Sequence, residues 1–233
     1  PGTLLDLSGD YIGRLIGFCS DIVGSFMLCI VALLLITDAL FQNNLIQIET
    51  YLKLSRLPFD ILSLSFIGSW ISFFVCKFQI HTNRIQNFLL EGLYASILIC
   101  GVGIYFLTKD SFLFTQEKSI WIGLYHFKPF YAYLAGLLGA ILISFTSEFL
   151  TNRKYSQAKK IASLSEFGTV VTLAKSLSSG LISNICYLAY FITIVLSSYQ
   201  FAGFYGICLA SLGMLSTSIT IICINSFAPL ATS

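Results

Sequence analysis

Charged side chains are scarce in this sequence. Lys, Arg, Asp and Glu together make up 10% of its 233 residues, whereas soluble domains carry about 25%. Hydrophobic residues make up 56%, and a chain of this size cannot bury that much apolar surface in a single aqueous core. The composition therefore excludes a soluble enzyme, a disordered tail and a nucleic-acid-binding protein. It indicates a protein whose main partner is the lipid bilayer.

Disulfide and metal-binding motifs are also missing. The seven cysteines form no Cys-x-x-Cys pair, and nearly all of them lie inside apolar runs. This distribution is typical of reduced thiols that pack between apolar side chains. The two histidines, His81 and His126, are far apart in the sequence. We therefore expect neither a disulfide framework nor a metal site built from His and Cys.

Long apolar stretches dominate what is present. Six reach the roughly 20 residues that a helix needs to cross a bilayer, at about 15–40, 58–78, 85–107, 129–150, 168–198 and 201–229. The fifth is longer than a simple span, so part of it is expected to project into water. No alternating strand pattern is present, so helices must satisfy the backbone. The sequence predicts an all-α, polytopic transmembrane helix bundle of about six spans. It forms one domain over residues 1–233 or a slice of a larger bundle.

Basic residues are unevenly divided between the two sets of loops. One set carries six Lys and Arg residues, including the cluster at 153–160. The opposite set carries four, and nearby acidic residues offset their positive charge. Loops with an excess of Lys and Arg face the cytoplasm. Because six is an even number of spans, both chain ends of this multi-pass protein are predicted to be cytoplasmic.

Acidic residues at the start of the first helix are the main candidates for chemistry. Asp6 and Asp10 are spaced i, i+4, and Asp21 follows after about three turns, on the same face and about 16 Å deeper. The mouth of a membrane-spanning helix is its end at the boundary between membrane and water. Carboxylates at such a mouth suit Mg²⁺, which takes oxygen ligands and bridges to phosphate. The alternative for Asp6 and Asp10 is solvated flanking sequence. A carboxylate inside a span, such as Asp21, indicates an ion pathway.

Small residues line the same helix. Gly9, Gly13 and Gly17 form a G-x-x-x-G-x-x-x-G row, and Gly24 lies one heptad further on. Glycine at this spacing lets a neighbouring helix approach closely. We therefore expect the first helix to be central in its bundle.

Three segments resemble the membrane-integral, ion-pumping pyrophosphatases. Residues 205–217, YGICLASLGMLST, resemble a signature of that family, and Gly206 and Gly213 are their predicted packing glycines. Residues 6–25 look like the family's D-x-x-G-D-x-x-G-D…S-D-x-x-G-S motif, and residues 146–156, TSEFLTNRKYS, are similar to its TE-Y/F-x-T…YS segment. The matches follow the family's order across essentially the whole chain. They correspond to the middle of the family's roughly sixteen-helix fold.

The resemblance implies a function and a set of roles. Members of the family hydrolyse pyrophosphate at a cytoplasmic-side Mg²⁺ site, move H⁺ or Na⁺ across a bacterial inner membrane or an acidic organelle membrane, and form homodimers. By position, Asp6 and Asp10 would lie in the metal and substrate region, and Asp21 in the ion gate. The first and sixth predicted helices would belong to the inner ring of the fold.

Several positions depart from the family pattern. Arg14 stands where the family has the third carboxylate of the first motif, and Leu28 stands at a glutamate position. Asn225 and Thr232 replace two further carboxylates, and Glu166 replaces an arginine. We therefore predict no pyrophosphate hydrolysis by this chain alone. Three alternatives stay open: a segment of an ion-pumping pyrophosphatase, an inert relative with a structural or partner role, and an unrelated helical transporter.

Overall fold

Five long helices make up most of the part of the chain that the structure describes. The computed structural model describes residues 2–44, 46–79, 85–110, 129–151, 161–164, 168–218 and 220. The helices are α1 (Gly2–Gln42), α2 (Ile48–Gln79), α3 (Ile85–Asp110), α4 (Pro129–Thr151) and α5 (Thr169–Leu215). Four of them, α1, α2, α4 and α5, are long and apolar enough to cross a membrane, and α3 adds the shorter apolar segment Gly92–Thr108. The described ranges contain no strand, which confirms the predicted all-α membrane bundle.

The fifth and sixth predicted stretches correspond to two helices that meet at a kink and are numbered together as α5. The backbone leaves helical geometry at Ala202 (φ −150°, ψ 23°) and Gly203 (φ 60°, ψ −145°). Glycine adopts a positive φ without a steric penalty, so Gly203 allows the sharp bend here. We call residues 169–201 the long arm of α5 and residues 204–215 its short arm. The short arm ends at Leu215, well before residue 229, and residues beyond 220 lie outside the described ranges.

Helix α4 packs in the angle between the two arms. The rings of Tyr131 and Phe201 lie 5.6 Å apart at the bend. A Cβ atom on Gly136 would overlap the Ala210 carbonyl of the short arm, and one on Gly139 would overlap the Ile194 side chain of the long arm. The absence of side chains at these two glycines therefore lets α4 touch both arms.

Helix α2 carries a buried proline that shapes its contact with α5. Pro58 lies inside the helix and lacks an N–H, so the carbonyl four residues earlier, that of Leu54, loses its usual helical donor. The Tyr205 hydroxyl of the short arm donates a hydrogen bond to this carbonyl at 3.2 Å. A buried main-chain acceptor is thereby satisfied between two helices.

Helices α2 and α3 meet through small residues. The Ser72 hydroxyl donates to the Gly92 carbonyl at 2.6 Å. A Cβ atom on Gly68 would lie 3.1 Å from the Cys100 sulfur. By contrast, the long arm of α5 leaves most of its apolar side chains exposed, including Leu173 and Leu177. An apolar helix with so little cover is typical of one that faces lipid.

Candidate functional site

Helix α1 has two sides of different character. Its inner face packs against α2 and α5. Buried positions recur every three or four residues along this face, as expected for one side of a helix. The inner face comprises Phe26, Ile30, Leu33 and Thr37, with Ile22 partly buried above them.

The opposite side of α1 is open. The helical register of 3.6 residues per turn puts every member of this outer face on the side away from Leu33. All described side chains on it are exposed, and Leu28 is exposed to 73%. The outer face comprises Gly13, Gly17, Asp21, Gly24, Leu28, Val31 and Leu35.

Asp21 is the one carboxylate among these outer-face residues. It lies six residues inside the apolar segment Leu15–Gln42, which corresponds to a depth of about 9 Å along the helix. Its side chain is exposed, and no described side chain forms an ion pair with it. The Ser25 hydroxyl donates to the Asp21 carbonyl at 2.8 Å, which satisfies the serine within the helix. A carboxylate at this depth is costly against hydrocarbon, so lipid is an unfavourable neighbour for it.

Asp6 and Asp10 lie in the part of α1 that precedes the apolar segment. The backbone is helical from Gly2, so positions 6 and 10 share the register of the outer face, while the side chains of Asp6, Asp10 and Arg14 lie outside the described part. Position 10 precedes Leu15 by about 8 Å of helix. The two positions are thus placed beside a membrane mouth, and their metal and substrate roles stay a prediction.

The glycine row on α1 has no close neighbour among the described residues. A Cβ atom at Gly9, Gly13, Gly17 or Gly24 would find nothing within 4 Å in that part of the chain. In the described bundle α1 therefore lies at an edge, and its predicted central position stays a prediction.

The two glycines of the short arm are enclosed. A Cβ atom on Gly213 would lie 2.7 Å from the Tyr133 carbonyl oxygen of α4. A Cβ atom on Gly206 would overlap the Ser198 carbonyl, which belongs to the long arm on the other side of the bend. Both glycines thus lie where backbone segments approach each other.

The remaining site positions fall into two groups. Leu28 is exposed on the outer face, two turns after Asp21, and as an apolar residue it adds no carboxylate there. Glu166, Asn225 and Thr232 lie outside the described residues. No three His, Cys, Asp or Glu side chains come together within the described ranges.

Two of the polar contacts between helices involve tyrosine hydroxyls and were not anticipated from the sequence. The Thr146 and Tyr190 hydroxyls, on α4 and the long arm, are hydrogen-bonded at 3.3 Å. The second contact joins the Tyr205 hydroxyl to the Leu54 carbonyl. A signal for the second was present, because a proline within an apolar helix frees a carbonyl and a buried tyrosine hydroxyl needs a partner.

Comparison with known proteins assigns a family to this arrangement. The chain is similar to the K(+)-insensitive pyrophosphate-energized proton pump of Methanosarcina mazei, with 25% identity over 99% of this chain and 32% of the relative. It is also similar to the K(+)-stimulated pyrophosphate-energized sodium pump of Thermotoga maritima, with 31% identity over 44% of this chain and 14% of the relative. The chain thus spans about a third or less of the relatives it matches.

The family match extends over nearly every residue. The family model described as inorganic H⁺ pyrophosphatase matches residues 1–232. The match includes α1 with its acidic positions, and it also includes both arms of α5. The chain belongs to the inorganic H⁺ pyrophosphatase family.

Proposed function

We propose that this chain is part of a pyrophosphate-energised ion pump in which α1 carries carboxylates for substrate binding and ion gating. We also propose that the chain does not hydrolyse pyrophosphate by itself. The named relatives are pyrophosphate-energized proton and sodium pumps. The proposal assigns Asp6 and Asp10 to the metal and substrate region and Asp21 to the ion gate.

The exposure of Asp21 is the observation that carries the proposal. A carboxylate inside a membrane span normally faces a bundle interior or a water-filled cavity. The glycines on either side of Asp21 leave room within 4 Å, so a further helix can approach this face closely. The outer face therefore has the chemistry of an ion pathway and the shape of a helix contact.

The acidic positions at the mouth suit Mg²⁺ by donor type. Mg²⁺ prefers oxygen ligands, keeps several waters and is commonly held by one or two carboxylates together with substrate phosphates. Asp6 and Asp10 are spaced one turn apart in helical sequence, so they could supply two such carboxylates. Bound there, Mg²⁺ would neutralise charge on pyrophosphate. The two aspartates would hold and orient the metal–substrate complex at the start of the span.

Arg14 is the reason to expect binding without hydrolysis. It follows Asp10 by one turn, at the position of a family carboxylate. A guanidinium stays protonated and cannot act as a general base towards water. It also repels a metal cation while attracting pyrophosphate. The chain therefore lacks a group that could activate the attacking water at this position.

Phosphate release tests this proposal directly. The purified chain in lipid nanodiscs is incubated with pyrophosphate and Mg²⁺, beside empty nanodiscs and the Methanosarcina mazei pump as the active control. We expect phosphate release equal to that of the empty nanodiscs. Mg²⁺-dependent release that exceeds this background and disappears in Asp10→Asn would overturn the proposal of an inactive chain.

Orientation and assembly follow from the same proposal. We place both chain ends in the cytoplasm, because the basic cluster at 153–160 and the mouth with Asp6 and Asp10 are then on the cytoplasmic side. A bacterial inner membrane and an acidic organelle membrane both fit this orientation. A second copy of the chain is a proposed partner.

A further inference from the structure

Aromatic rings form a continuous run across three helices at one end of the bundle. The ring centroids of Tyr105 on α3 and Phe130 on α4 lie 5.8 Å apart. Those of Phe130 and Tyr131 lie 5.6 Å apart, and Tyr131 reaches Phe201, the last residue of the long arm, also at 5.6 Å. Because neighbouring rings are this close, the three helices present them at one level. The aromatic belt comprises Tyr105, Phe106, Phe130, Tyr131, Tyr199, Phe201 and Phe204.

The aromatic belt coincides with the ends of apolar segments. Tyr105 lies three residues before the end of the apolar segment of α3, and Tyr131 is the third residue of the apolar span of α4. In the sequence, Lys109 directly follows the first of these segments and Lys128 directly precedes the second. Phe201 directly precedes the bend of α5. The belt therefore lies at the level where α3 and α4 pass from apolar to polar sequence and where α5 turns.

The rings of the belt are accessible and several carry polar tips. Tyr105, Tyr131, Tyr199 and Phe204 are all exposed in the structure. Bulk hydrocarbon favours an aromatic ring but not a hydroxyl group, whereas water favours the hydroxyl but not the ring. Tyrosine is enriched at the boundary between the two for this reason. The chemistry of the belt thus matches the interfacial layer of a bilayer better than either side of it.

A second set of exposed rings lies on α2, about one hydrocarbon thickness away. The hydrogen bond from Tyr205, the neighbour of Phe204 in the chain, brings the Leu54 carbonyl close to the level of the belt. Phe74 follows Leu54 by 20 residues of helix, a rise of about 30 Å, and the hydrocarbon core is about 30 Å thick. Two aromatic sets at this separation are typical of the two interfaces of a bilayer. The second set comprises Trp70, Phe73 and Phe74.

We propose that the aromatic belt binds the interfacial layer of one membrane leaflet, where phospholipid headgroups and glycerol esters meet the hydrocarbon. The tyrosine hydroxyls face the ester groups and water of this layer, and the rings lie against the first carbons of the acyl chains. The bend at Ala202 and Gly203 is then held at the membrane surface, and the short arm of α5 starts from that surface. The lipid-binding surface does not depend on the proposed pump function.

Tryptophan quenching by lipids that carry a nitroxide at a known depth tests this surface. The two native tryptophans, Trp70 and Trp121, are replaced by phenylalanine, and Phe204→Trp introduces a single reporter in the belt. The matched control is Phe191→Trp, because Phe191 is an exposed ring on the long arm, ten residues and about 15 Å from Phe201. Each variant is reconstituted in phosphatidylcholine vesicles that carry the nitroxide either on the headgroup or near the middle of the acyl chain.

The ratio of headgroup quenching to acyl-chain quenching decides the outcome. We expect this ratio to exceed one for Phe204→Trp and to fall below one for Phe191→Trp. A ratio below one for Phe204→Trp would overturn the proposal, because the belt would then lie within the hydrocarbon. Absence of quenching by either lipid would overturn it as well, because the ring would then be out of contact with lipid.

A second reporter makes the test independent of how one variant folds. Tyr131→Trp in the same background places the tryptophan on α4, next to Phe201 in the structure. We expect the same quenching order as for Phe204→Trp, because both positions belong to one belt. Opposite quenching orders at these two positions would show that the rings do not share one membrane level and would contradict the proposed surface.

Discussion

The Tyr205 hydroxyl donates a hydrogen bond to the main-chain carbonyl of Leu54, across the contact between the short arm of α5 and α2, at 3.2 Å. Pro58 has no N–H, so the Leu54 carbonyl lacks the main-chain donor that it would have in an uninterrupted helix. Tyr205 is fully buried, and Pro58 is too. Tyr205, the first residue of the segment 205–217, thus supplies the hydrogen-bond donor that Pro58 of α2 lacks.

Removal of the Tyr205 hydroxyl should destabilise the bundle. Tyr205→Phe keeps the ring but leaves the Leu54 carbonyl buried without this donor, which costs about 1–3 kcal/mol. The free energy of unfolding in mixed SDS and detergent micelles measures this loss. The matched control is Tyr199→Phe, which should change little because Tyr199 is exposed to 46%. Equal stability of the two variants would contradict a structural role for the hydrogen bond.

Replacement of Pro58 should reduce the cost of the Tyr205 substitution. Pro58→Ala restores an N–H four residues after Leu54, and the helix can then satisfy this carbonyl itself. Tyr205→Phe should therefore cost less in the Pro58→Ala background than in the unchanged chain. A double-mutant cycle of unfolding free energies measures this difference. Additive effects would show that Tyr205 acts through something other than the freed carbonyl.

Close packing of α4 in the bend of α5 should depend on glycine. In Gly136→Ala the added methyl group would overlap the Ala210 carbonyl, and backbone cannot yield as a flexible side chain can. We expect a loss of about 1–3 kcal/mol, the usual range for overpacking. Gly180→Ala is the matched control, because a Cβ atom there meets nothing within 4 Å. If Gly136→Ala unfolds at the same detergent composition as Gly180→Ala, α4 does not approach α5 this closely.

The helices could largely be predicted from hydropathy, because long apolar stretches must form helices in a bilayer. The break at Ala202 and Gly203 also falls where the predicted fifth stretch gives way to the sixth. Hydropathy does not show that the two stretches are joined by a kink of two non-helical residues. It could not show either that α4 would lie between the two arms, because that depends on three-dimensional fit at Gly136 and Gly139.

The candidate site is less predictable than the fold. The i, i+4 spacing of Asp6 and Asp10 and the later Asp21 give a common register on a helix, and α1 is helical throughout. Sequence spacing does not reveal which side of a helix its neighbours cover. The outer face of α1 is open in the structure because the apolar positions at Phe26, Ile30 and neighbouring turns provide the contact with α2 and α5.

The membrane orientation has its own test. A green fluorescent protein fused after Ser233 should fluoresce, since it folds in the cytoplasm, where both chain ends are proposed to lie. The same reporter inserted after Asn44, in the turn between α1 and α2, should remain dark, because this turn would be on the opposite side. The reverse pattern would invert the orientation and move Asp6 and Asp10 to the non-cytoplasmic side.

The most direct test of the account is Mg²⁺ binding at the mouth of α1, measured by titration calorimetry in nanodiscs with pyrophosphate present. The account predicts that Arg14→Asp, which removes a cation and adds a carboxylate beside Asp6 and Asp10, tightens Mg²⁺ binding about tenfold or more, equivalent to about 1.4 kcal/mol. Adding Asp6→Asn and Asp10→Asn to Arg14→Asp should abolish that gain, whereas adding Asp38→Asn should preserve it. No gain in Arg14→Asp, or a gain that survives the loss of both aspartates, would contradict the assignment of this helix to the metal and substrate site.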